Sequence, residues 1–176
     1  MMTTTDGAAA LEHLRTGVRA MLYEHMDEAK EHLEAAASPA LLARHDPVAI
    51  DALAYLSSVR FGLADVEGGA AAAELALKLG PDRFAPNQKA GELAIRMGDP
   101  GRAAERFLAA LRASEPGTQE AKAAEASLRE ARRRAAKSIR HEARAPRGLA
   151  GLGRLVPRRR ARLAHGSVTA GPQLPG

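Results

Sequence analysis

The sequence predicts an all-α chain assembled from repeated helical hairpins. Three observations carry that expectation. Alanine, the strongest helix former and a weak strand former, fills 40 of the 176 positions. Capping residues and prolines recur at intervals suited to helix starts and stops. A row of small residues recurs with one internal spacing, the mark of a repeat architecture.

Each element follows from local signals. Asp6 is expected to cap a first helix that runs to about Tyr23, and Met26 to Ala37 forms a second. Ser38-Pro39 joins a capping residue to a proline suited to the first helical position, opening a short extra helix over 39–45. Asp46-Pro47 repeats that signal and opens a helix to about Leu63. Gly68 or Gly69 starts the next, which stops at Gly80-Pro81. Pro86 to Met97 and Pro100 to Ser114 give another pair. Thr118 caps a long amphipathic helix over 117–143. Its apolar face carries Leu128, Ala131, Ala135 and Ile139, and its basic face Arg129, Arg133, Lys137, Arg140 and Arg144. Glu125–Arg129 and Glu130–Arg134 are favourable pairs one turn apart.

The repeat is defined by a small residue followed at steps of 12, 4 and 3. From Gly17 it reaches Ala29, Leu33 and Ala36; from Ser57, Gly69, Ala73 and Ala76; from Gly91, Ala103, Phe107 and Ala110. The second and third starts lie 34 residues apart and the first and second 40, six more. Two helices in a tight hairpin need small residues where their backbones approach. A larger group one turn further, as at Leu33 and Phe107, then plugs the gap. Ala73 plugs it poorly.

These markers, with Gly98-Asp99 at the turn and Pro116 past the end of the third copy, resemble the tetratricopeptide repeat family. The resemblance covers 7–116 in three copies; the second keeps Asp65, Ala76-Leu77 and Pro81, and the first lacks the turn glycine and closing proline. The family's first-helix tryptophan and tyrosine are missing from all three. The resemblance implies a right-handed α-solenoid of three helix–turn–helix repeats, with a concave face made by the first helix of each pair. The long last helix would then cap the stack and cover Phe107 and Leu111.

Charge divides the chain. The net of +5 is the sum of −5 over residues 1–116, +3 over 117–143 and +7 over 144–176. Residues 144–176 hold seven arginines, six glycines, four prolines and no acid or aromatic, so a disordered basic tail is expected there.

Several function classes are disfavoured. The chain has no cysteine, hence no thiolate metal site and no disulfide framework. There is no phosphate-binding glycine loop and no nucleophile elbow. His25, Glu28 and His32 have a ligand-like spacing, but His25 falls at the expected turn, so exposed helix polarity is the expectation and no metal site is assigned. No catalytic residue and no cofactor are assigned, and a non-catalytic protein is expected. No run of 18 apolar residues and no apolar run behind a basic start occur, so a cytoplasmic chain without membrane contact is expected.

The leading expectation is a scaffold or adaptor that binds a peptide or protein in the concave groove. The repeat register places Leu14, Val18, Met21 and Leu22 on its inner face, then Ala54, Ser58 and Phe61, then Gln88, Glu92, Ile95 and Arg96. Relatives that clamp a chaperone C-terminus use lysine and asparagine there. Asn87 is the only asparagine and no such set falls on the inner face. The alternative is an electrostatic binder of nucleic acid or another acidic partner. It would act through the basic helix and the tail run Arg158, Arg159 and Arg160, without base stacking because no aromatic follows Phe107. Self-association through an exposed groove is a third reading.

Overall fold

A computed structural model describes residues 4–144, with side chains described over 7–140. Eight helices and no strand occur among them: α1 (Thr4–Leu22), α2 (Met26–Ala36), α3 (Pro39–Leu42), α4 (Pro47–Gly62), α5 (Val66–Leu79), α6 (Phe84–Arg96), α7 (Pro100–Ala113) and α8 (Gln119–Arg144). The all-α expectation holds for these residues. The helices belong to one structural unit that ends at Glu142, and the last two residues of α8 open a second. Arg144 is the last residue of α8, one beyond the expected helix end at 143. The rest of the expected tail, 145–176, lies outside the described residues.

Three pairs form hairpins: α1 with α2, α4 with α5, and α6 with α7. Each later pair packs on the one before: α4 touches both α1 and α2, and α6 touches both α4 and α5. The repeated small residues are the reason the hairpins close. A methyl group built on Gly17 would stand 2.7 Å from Leu33 Cγ, and one on Gly91 would stand 2.6 Å from Phe107 Cε1. In the middle hairpin the plug is missing, and a methyl group built on Gly69 would instead stand 2.9 Å from the Ser57 carbonyl oxygen. The weak plug, Ala73, lines a small pocket of about 70 Å³ between α5, α6 and α7.

The hairpin turns are alike although only one has the glycine. Glu24, Ala64 and Gly98 all adopt left-handed backbone, at φ 64°, 65° and 77°. In each, the next residue's N–H donates back into the preceding helix: His25 to Ala20 O, Asp65 to Arg60 O and Asp99 to Ala94 O. Asp65 then caps α5 by accepting from the Gly68 N–H, and Asp99 caps α7 by accepting from the Arg102 N–H. His25 makes no such bond at the start of α2.

Several boundaries differ from expectation. Asp6 lies inside α1 rather than before it. α2 ends one residue short of Ala37. α5 begins at Val66, not at the glycines, because Asp65 supplies the cap. α6 begins at Phe84, two residues before Pro86, since proline is tolerated throughout a first turn. The short α3 covers Pro39–Leu42 only. It still explains the longer first spacing: ten residues separate α2 from α4, against four between α5 and α6. Asp46 caps α4 through the Val48 and Ala49 N–H groups, and Thr118 caps α8 through the Ala121 N–H.

The core has two main parts. Alanines from α1, α2, α4, α5 and α6 gather around Leu33, Leu53, Leu56 and Val59. A second cluster joins Ala94, Ala103 and Phe107 to Leu128 and Ala131 of α8, with Leu111 at its edge. So α8 packs against the last hairpin through Leu128 and Ala131, and its Ala121 and Ala124 are buried as well. Ile139 does not share in this: it is 67% exposed, because α8 runs past the end of the surface it covers. No described helix is long and apolar enough to cross a membrane.

Candidate functional site

A cavity of about 650 Å³ opens among α1, α4, the start of α6, Ala113 at the end of α7 and the start of α8. α1 contributes Leu14, Arg15, Val18, Arg19 and Leu22; α4 contributes Asp51 and Tyr55. The turn before α6 and its first residues contribute Asp82, Arg83, Phe84 and Ala85, and α8 adds Glu120. The helical period explains the α1 set: Leu14, Val18 and Leu22 stand one above another, and Arg15 and Arg19 form the adjacent row.

Arg83 fixes the middle of this cavity. Its Nε donates to Asp51 Oδ1 at 3.0 Å and its second guanidinium nitrogen to Asp51 Oδ2 at 2.6 Å, tying the entry of α6 to α4. That forked bond raises the Arg83 pKa above its ordinary value, against a partial loss of hydration. Asn87 is fully buried behind it and donates to the carbonyls of Pro81 and Arg83, holding the turn in shape.

Tyr55 forms the floor. Lys89 Nζ lies 5.0 Å from its ring centre and bonds Glu92 Oε2 at 2.9 Å. Burial raises the Tyr55 pKa first, and the negative charges of Asp51, Glu120 and Glu92 raise it further. Around this floor the rims differ in sign. Arg15 and Arg19 on α1 are exposed and have no ion-pair partner among the described residues, and the same holds for Asp82 and Glu120.

The groove residues expected from the repeat register do not form one surface. Val18 and Leu22 line this cavity, with Leu14. Met21 packs onto the core instead. Ala54 is 1% exposed, and neither Ser58 nor Phe61 lines the cavity. The α4 residues that line it are Asp51 and Tyr55, on a face rotated by about one residue from Ala54 and Ser58. Phe61 lies under the Arg96 guanidinium, 5.4 Å from ring centre to Cζ. Gln88 is buried and bridges α6 to α8, its Nε2 donating to Glu92 Oε1 and Ser127 Oγ. Glu92, Ile95 and Arg96 line a separate cavity of about 320 Å³ with Phe107, Ser127, Glu130 and Arg134. Sequence reasoning missed Tyr55, Asp51, Arg83, Arg15 and Arg19. The four-residue step from Asp51 to Tyr55 marks a common helix face, but nothing in the sequence joins Asp51 to Arg83 across 32 positions.

The histidine row does not converge. His25 Nδ1 stands 3.4 Å from Glu28 Oε2, while His32 turns to α1 and meets His13, Nδ1 to Nδ1, at 3.0 Å. With ring centres 5.3 Å apart the two nitrogens point at each other, so one ring donates and the other accepts. Among the described residues no group of three His, Asp or Glu is placed to hold a metal ion.

On α8, Arg129, Arg133, Lys137 and Arg140 are exposed. Glu130 is held by Arg134 at 2.7 Å and by Arg133 at 2.6 Å, and these bonds, Arg134's first, keep its carboxyl below its ordinary pKa. The expected Glu125–Arg129 pair is not formed. Arg158, Arg159 and Arg160 lie outside the described residues, as does the side chain of Arg144. Comparison with protein-family models and with curated proteins finds no match.

Proposed function

We propose that this chain is a non-catalytic scaffold of the tetratricopeptide type, whose three hairpins stack as a right-handed solenoid and bind a peptide or protein partner in the concave groove. The observation that carries this reading is the open cavity of about 650 Å³ between α1, α4 and the start of α6. It has an apolar floor of Leu14, Val18, Tyr55 and Phe84, with unpaired charges of opposite sign on its rims. Such a surface suits an elongated partner that offers apolar anchors to the floor and charges to the rims. The common geometry of the three turns and the three close glycine or serine approaches support the repeat assignment.

The test is a tagged pull-down at low and high salt with nuclease treatment. Leu22 lines the cavity and is 73% exposed, so Leu22→Glu leaves folding intact while placing a charge on the groove wall. A partner retained by the parent protein and by Ile139→Glu, yet lost with Leu22→Glu and with Arg15→Glu, supports the groove. Equal retention by all of them rejects it.

A further inference from the structure

Beyond Ala131 the side chains of α8 are mostly exposed: Arg132, Arg133, Arg134, Ala136, Lys137, Ser138, Ile139 and Arg140 all are, Ala135 is half-covered, and Arg134 alone of the exposed set also lines the cavity beside Ile95 and Phe107. The basic residues of this end are spread widely. At about 100° per residue, Arg132, Arg129, Arg140, Arg133, Lys137 and Arg134 follow one another over an arc of about 200°. Arg132 and Arg134 therefore occupy opposite flanks of the helix. Glu130 is the only acid among the described side chains from 129 to 140, and it holds only Arg133 and Arg134. Arg129, Arg132, Lys137 and Arg140 have no partner among the described residues.

From this arrangement we infer that the emergent end of α8 enters the major groove of duplex DNA, with its cations facing the phosphate rows on both sides. A flat acidic surface, whether protein or anionic lipid, meets one side of a helix and leaves the opposite flank in water. A groove bounded by two phosphate rows meets both flanks, and the B-form major groove admits an α-helix. The segment from Arg132 to Arg140 is about 13 Å of helix, short enough to lie within such a groove. Within that arc only Ala136 and the paired Glu130 stand among the cations, while Ser138 and Ile139 fall outside it. No aromatic side chain is present on α8, which disfavours single strands bound by stacking. The binding is to phosphates and reads no sequence.

The experiment measures anisotropy of a labelled DNA duplex, and of one of its strands alone, against the full chain from about 50 to about 200 mM salt. The parent protein is expected to prefer the duplex and to lose affinity steeply with salt. Replacing Arg129, Arg132, Lys137 and Arg140 together by glutamine keeps helix propensity. That variant should weaken duplex binding tenfold or more at about 50 mM salt and flatten the salt slope by about three to four. A control replacing Lys78, Arg102 and Arg112 by glutamine should change neither, and circular dichroism checks that both variants stay helical. In a third variant, Arg158, Arg159 and Arg160 are replaced by glutamine, and its preference for duplex over single strand should persist. The inference is overturned if the duplex does not bind at low salt, if single strand binds as well, or if the α8 variant binds like the parent. Tighter binding to anionic vesicles than to the duplex also overturns it. None of these outcomes bears on the groove, which the Leu22→Glu comparison tests separately.

Discussion

At the scale of single residues, absent side chains matter as much as present ones. Gly17 and Gly91 leave the spaces that Leu33 and Phe107 fill. Gly91→Ala would drive a methyl into the buried Phe107 ring and is expected to cost about 1–3 kcal/mol, with Gly17→Ala similar. Gly7→Ala meets no atom within 4 Å and should not destabilise at all. Urea unfolding of the three variants checks the contrast. Tyr55 offers a second residue-scale test. Burial and three carboxylates raise its folded pKa above the unfolded value of about 10. The folded state therefore holds the proton more tightly than the unfolded chain. Its contribution is complete below that pH and is lost as pH rises through the folded pKa. Tyr55→Phe should flatten the fall of stability above about pH 10, read as the denaturation midpoint against pH. The small residues were legible in the sequence, since spacing alone exposes them. Tyr55 was not, because its role depends on Asp51, Glu92, Glu120 and Lys89, which converge only in space.

At the scale of elements, the turns hold the clearest lesson. Three turns share one left-handed residue and one pattern of backbone bonds, yet two of them place Glu24 and Ala64 where Gly98 is unstrained. A side chain in that conformation costs about 1–2 kcal/mol. Ala64→Gly is expected to raise stability by about 1 kcal/mol, somewhat offset by the freer unfolded chain, and Glu24→Gly likewise. Gly98→Ala should lower it by a similar amount. A rise in the urea midpoint for the first two and a fall for the third would establish that the repeats share a turn that their sequences disguise. Helix starts followed the same logic: proline after an aspartate marked α4 and α7 directly, while α5 and α6 began before the glycines and proline that signalled them. Local signals mark a helix boundary to within two or three residues because several neighbouring groups can supply the cap.

At the scale of the whole molecule, a mildly acidic helical body precedes a strongly basic C-terminal stretch. The structural unit ends at Glu142. A chain cut after Arg144 is therefore expected to keep its helical signal per described residue and its unfolding midpoint. A cooperative loss of helicity on that cut would show that the basic stretch takes part in the fold. By itself the sequence determined the all-α class, the helix order, the six-residue insertion and the buried small positions. These follow from propensity, capping and periodicity, which act within a few residues. Only the tertiary structure decided where the cavity opens, that α4 offers Asp51 and Tyr55 to it, and that Arg83 ties them to α6. It also decided that the fully buried positions of α8 end at Ala131, leaving Ile139 exposed. A helix has apolar and polar faces that sequence can locate, but a rotation of one residue, about 100°, changes which side chains line a groove. That rotation is set by how neighbouring helices pack, and packing couples residues that are distant in the chain.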